Sequence, residues 1–164
     1  MRKIFTLIAI LILLFVGRSF GQTTLAAGDV AIIETRATNP DQISFVLLKD
    51  VATNTVINFT DNGFASATTG RTGEGFLTWT APSAYCAGSY FTWTNGMTIT
   101  GTGWNSNNPS NFSLNASGDQ LFAFQGSTAN WATQSGLTLL FGVDWGNSGG
   151  WRTSGTATAS DSYA

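Results

Sequence analysis

The strongest constraint on the fold of this chain is a succession of short β-type runs divided by turn clusters. No segment beyond residue 21 sustains a 3.6-residue apolar period. Charged helix formers are scarce there, while Gly, Thr, Ser and Asn abound. The runs fall at residues 30–34, 42–48, 55–60, 74–80, 90–94, 97–100, 112–114, 120–125 and 137–143. Asn39-Pro40-Asp41 and Asp61-Asn62-Gly63 mark turns, since Asn and Gly tolerate positive φ. Asn95-Gly96 gives the best short-hairpin signal. In residues 74–80, Phe76, Thr78 and Thr80 alternate with Leu77 and Trp79, the period of a strand with two different faces. About nine such runs predict an all-β protein, an antiparallel sandwich or barrel. Residues 101–111, rich in Gly, Asn and Ser, read as a long surface loop.

Ahead of this region stands a different kind of segment. Arg2 and Lys3 precede an apolar run of about 13 residues, too short for the ~20 a spanning helix needs. Ser19-Phe20-Gly21 then offers small residues at the −3 and −1 positions. This is the pattern of a cleavable signal peptide over residues 1–21, cut before Gln22, and it predicts a secreted or cell-surface protein. Residues 22–164 have the size of a single domain. After Gly142 the chain turns Gly/Ser/Thr-rich with no evident closing strand, so the sandwich is expected to be incomplete at its C-terminal end and to be the N-terminal module of a longer protein.

Several function classes fall away. All nine acidic residues lie beyond residue 21, with only Arg36, Lys49, Arg71 and Arg152 against them, isolated from one another. Nucleic-acid binding, which needs clustered cations to displace phosphate counterions, is not expected. The chain has no histidine, so a His-based triad and His-ligated zinc are impossible within it. Gly70-Arg71-Thr72-Gly73-Glu74-Gly75 lacks the strand-to-helix setting of a phosphate loop and reads as a hairpin tip. Of the carboxylates that a glycosidase pair would draw on, Asp50, Asp61, Asp119 and Asp144 sit beside turn residues, where such groups accept backbone N–H bonds. No catalytic residue is assigned.

Two ligand classes remain as expectations. Calcium takes oxygen ligands from loops, and Asp61, Asn62 and Asp119 are the candidates for it. Exposed Trp faces stack on sugars, and Trp104, Trp145 and Trp151 lie in Gly/Asn/Ser-rich stretches, whereas Trp79, Trp93 and Trp131 are assigned to the core. Cys86 is the only cysteine, which excludes an intrachain disulfide. Burial as a small hydrophobe is expected for it in preference to an intermolecular bridge.

A family resemblance rests on a set of blocks. They are Ala27-Gly28-Asp29-Val30-Ala31-Ile32-Ile33, Asp41-Gln42-Ile43-Ser44-Phe45-Val46-Leu47-Leu48-Lys49-Asp50, and Thr55-Val56-Ile57-Asn58-Phe59-Thr60-Asp61-Asn62-Gly63. Arg71-Thr72-Gly73-Glu74-Gly75-Phe76-Leu77-Thr78-Trp79-Thr80 and Ser117-Gly118-Asp119-Gln120-Leu121-Phe122-Ala123-Phe124-Gln125-Gly126 complete them. Together, across about residues 27–145, they resemble an uncharacterised β-rich module near the N-terminus of large secreted bacterial surface proteins. That module is similar in layout to the lamin-tail domain, an immunoglobulin-like sandwich. The resemblance implies a non-catalytic binding or structural module of a cell-surface protein, with adhesion repeats, a catalytic domain or a sorting domain further along. A glycan or a cell-surface protein is the partner it implies. The alternative is a carbohydrate-binding module serving a hydrolase encoded downstream.

Overall fold

In the computed structural model the described residues are 21–97, 100–106, 109–146, 150–153 and 162–163. The apolar run expected to be a signal peptide lies outside them, apart from Gly21. Among the described residues no helix is long and apolar enough to cross a membrane.

The protein is an antiparallel β-sandwich. Strands β1 (Val30–Arg36), β2 (Gln42–Leu47), β3 (Val56–Thr60), β4 (Phe64–Ser66), β5 (Thr69–Gly70) and β6 (Phe76–Thr80) come first. They are followed by β7 (Tyr90–Thr94), β8 (Gly118–Gln125), β9 (Thr138–Gly146), β10 (Trp151–Arg152) and β11 (Ser162–Tyr163). One sheet has the order β1-β2-β7, the other β6-β3-β8-β9, and β4-β5 and β10-β11 are short two-stranded pairs. All pairings within the two main sheets are antiparallel. One 3-10 turn, Thr128–Asn130, lies between β8 and β9.

Period-2 alternation places the core. Ile43, Phe45 and Leu47 of β2 and Trp93 of β7 face Ile57 and Phe59 of β3, Leu77 and Trp79 of β6, and Leu121 and Ala123 of β8. Phe45 sits at the centre, 5.0 Å from Phe59 and 5.2 Å from Trp79 between ring centroids, the latter edge-on. These are the tilted and T-shaped contacts that aromatic quadrupoles favour. Trp79, Trp93 and Trp131 are buried as expected.

The opposite side chains of β8 do not meet water either. Phe122 and Phe124 project from the outer face of the four-stranded sheet into a second cluster with Phe64 and Trp131, flanked by Phe76, Leu137 and Tyr163. Every residue of β8 is therefore buried. The cover is built from β4-β5, the segment after the 3-10 turn, and β11, whose Ser162 hydroxyl accepts the Phe64 N–H at 2.8 Å. The short pairs β4-β5 and β10-β11 had no counterpart among the runs read from sequence. Their strands, of two or three residues, are too short to show a period.

Three expectations need correction. Residues 112–114 form no strand, because the N–H groups of Ser113 and Leu114 are taken by carboxylates and that of Phe112 turns back to Pro109 O, leaving none for a neighbouring strand. The run from residue 97 to 100 belongs to no strand at its two described ends, Met97 and Thr100, and residues 98–99 lie outside the described set. Cys86 is exposed, not buried. Tyr85 bridges to Val51 and turns its ring inward onto Phe91 and Trp79, so the next side chain points to solvent. The strand begins only at Tyr90.

Candidate functional site

Residues 101–106 and 109–117, the described later part of the connection from β7 to β8, lie along one edge and one end of the sandwich and are fastened there at several points. Thr80 donates its N–H to Gly103 O, and Asn105 donates to Thr78 O, each at 2.8–2.9 Å. The segment thus adds to the free edge of β6, with a bridge between Trp79 and Trp104. Covering an edge in this way removes a template for intermolecular pairing. Gly103 is required at this contact. Its φ is +90°, and a Cβ there would lie 2.5 Å from Thr80 O.

Indole N–H groups hold the segment's carbonyls. Trp79 Nε1 donates to Thr102 O and Trp93 Nε1 to Ser106 O, both at 2.9 Å, while Trp145 Nε1 donates to Asn115 O at 3.1 Å. Trp104 faces the other way, donating to Thr92 O at 3.1 Å with its ring between Phe45 and Phe59.

Carboxylates hold its N–H groups. Ser113, Leu114 and Asn115 donate in succession to Asp61 Oδ2 at 2.9 Å, Asp41 Oδ2 at 3.0 Å and Asp119 Oδ2 at 2.8 Å. The three acids come from the start of β2, the end of β3 and the start of β8, so three consecutive N–H groups tie three strands together at one end of the sandwich. Asp61 Oδ1 accepts the Gly75 N–H at 2.9 Å, and Asp119 Oδ1 accepts the Gln120 N–H at 2.9 Å. Asn62 completes the turn, its Oδ1 accepting the Glu74 N–H at 3.1 Å and its Nδ2 donating to Thr60 Oγ1 at 2.8 Å.

The electrostatics of this end are unusual. Asp61 and Asp119 are only 1% and 4% exposed. Burial pushes the Asp61 carboxyl up to about 7, against the N–H of Ser113 and with help from the charge of Glu74. Burial, reinforced by the charge of Asp119, pushes Glu74 up to about 7, and Arg71 opposes this. Asp119 rises to about 6, burial outweighing its bonds from Asn115 and Gln120, with Asp144 and Asp41 adding repulsion. Gln120, paired in register with Asp144, is fully buried and donates Nε2 to Asp61 O and to Asp119 Oδ1.

The structure therefore brings together Asp61, Asn62 and Asp119, but with their oxygens committed to backbone N–H groups. Among the described residues no group of three or more His, Cys, Asp or Glu is arranged to hold a metal. Glu74, Gln120 and Asp41 belong to the same cluster and were not singled out as ligands from sequence. The turn-forming pattern around Gly73 and Gly118 hides them, because a turn carboxylate and a buried one look alike in sequence.

The three loop tryptophans are not brought together. Trp104 is 5% exposed and gives its face to the core. Trp145 is half-buried and committed to Asn115. Trp151 alone is open, 46% exposed, set edge-on to Phe122 at 5.7 Å. It lines a shallow apolar groove of about 460 Å³ with Phe122, Leu139, Leu140 and Phe141. Compared with known proteins, the chain matches no family model, no curated protein and no solved structure.

Proposed function

We propose that this chain is a non-catalytic binding or structural module of an exported, surface-associated protein, with an immunoglobulin-like sandwich. The observation that carries the reading is the triple carboxylate tie on Ser113, Leu114 and Asn115. Acids that a hydrolase would aim at a substrate are spent here on fixing a connection between strands, under almost complete burial. The strand orders β1-β2-β7 and β6-β3-β8-β9 are compatible with an immunoglobulin-like arrangement. Export is supported by the charge and length pattern of residues 1–21. The test is a screen of the purified chain against glycoside and ester substrates. No turnover is expected, and activity abolished by Asp61→Asn or Asp119→Asn would overturn the reading.

One observation favours a carbohydrate-binding variant of this module: Trp151 stands half-exposed beside an open groove. Binding on a glycan array, lost in Trp151→Ala and kept in Trp104→Phe, would select that variant.

A further inference from the structure

The acidic end holds one carboxyl that the tie does not use. Asp61 and Asp119 have N–H donors on both oxygens, and Asp41 accepts the Leu114 N–H. Glu74 differs: its Oε2 is buried and has no donor. The backbone beside it is pinned, the Glu74 N–H to Asn62 Oδ1 at 3.1 Å and the Gly75 N–H to Asp61 Oδ1 at 2.9 Å. Gly75 in turn lies directly under the connection. A Cβ there would sit 2.3 Å from Phe112 N, so the chain next to Glu74 touches the residue just before the three tied N–H groups. The charges around Glu74 are mostly of its own sign. Asp61 and Asp119 act on it directly, and Asp41 and Asp144 act on Asp119. Arg71 opposes them, but its buried Nε makes no hydrogen bond, and residues 109–117 carry no charge at all. A buried carboxyl without a donor, among like charges, is favoured in its neutral form.

We propose that Glu74 is a proton-operated latch on the connection over residues 109–117: neutral Glu74 leaves the triple tie closed, and its ionisation opens the tie at Ser113, Leu114 and Asn115 while the sandwich stays folded. Asp61 and Asp119 carry their charge against N–H donors, whereas a charge on Glu74 has none. The ionised carboxylate regains its hydration when Phe112 and the tied residues lift from Gly75. The direction follows from linkage. Closed, Glu74 holds its proton up to about pH 7; opened to water, it returns toward its ordinary 4.5. The latch is therefore fully favoured below about pH 4.5 and loses that support as pH rises through about 7.

Amide hydrogen exchange read by NMR at pH 5 and pH 8, corrected for the intrinsic rate at each pH, tests this. Protection of the Ser113, Leu114 and Asn115 amides is expected to fall at least ~10-fold from the lower pH to the higher. At pH 8 these amides should also be at least ~10-fold less protected than those of Ala123 and Phe124, because the tie opens without the body of the sandwich. In Glu74→Gln, whose amide stays neutral at both values, the fall should be at least ~5-fold smaller. The wild-type comparisons stand whether or not the variant folds. Equal protection of the three amides at pH 5 and pH 8 would overturn the proposal, and so would protection at pH 8 equal to that of Ala123 and Phe124. An undiminished fall in folded Glu74→Gln would do the same, since it would assign the proton to another group.

Discussion

At the scale of single residues, the raised carboxyls set the response to pH. Asp61, Glu74 and Asp119 have folded-state values of about 7, about 7 and about 6, against ordinary values of 3.8, 4.5 and 3.8. Over that interval the folded chain holds protons that the unfolded chain has released. Their contribution is thus complete below about pH 4 and is lost as pH rises to about 7. Asp29 and Glu34 are lowered by hydrogen bonds from Ala26 and from Ser44, and they act in the opposite sense at the acid end. They are surface groups and weaker in effect. In EDTA, the urea midpoint is expected to fall between pH 4.5 and pH 7.5, and Asp61→Asn should flatten the fall. A midpoint that climbs over this range would contradict the burial argument. The identities of these residues were legible in sequence as turn formers. Their burial was not: that of Asp61, for one, depends on a segment some fifty residues away in the chain folding over it.

At the scale of elements, the connection over residues 101–117 behaves as a fastened strap. Its exposed Gly, Asn and Ser residues gave it the composition of a surface loop, and most of it is on the surface. Yet its hold on the body runs through three indole N–H groups, three carboxylates and the backbone of β6. Composition cannot report such a hold, because the donors and acceptors lie on other strands. The alternation in residues 74–80, by contrast, was read correctly, since both faces of a strand are written in its own sequence. Gly103→Ala is expected to lift the strap from Thr80, through backbone clash and loss of the positive-φ conformation. Limited proteolysis should then cut within residues 100–111 at least ~10-fold faster than in wild type, while the far-UV CD of the body persists. Equal cleavage rates would show that Gly103 is dispensable.

At the scale of the whole molecule, the runs in sequence were enough for an antiparallel sandwich, since they alternate and are spaced by turns. The second aromatic cluster was hidden in residues 120–125, where Leu121 and Ala123 serve one layer and Phe122 and Phe124 another. A run apolar on both faces signals burial without saying what lies on either side. That double covering also orders the molecule in time. A backbone amide exchanges with solvent deuterium only when its hydrogen bond opens, and β8 is paired on both edges as well as covered on both faces. The amides of Ala123 and Phe124 should therefore be the last to exchange, reporting global unfolding, while those of β4-β5 and β10 exchange through local opening. Read by NMR, the slowest amides would then form a single line through the centre of the protein, and whatever stabilises that line sets how long the folded protein lasts.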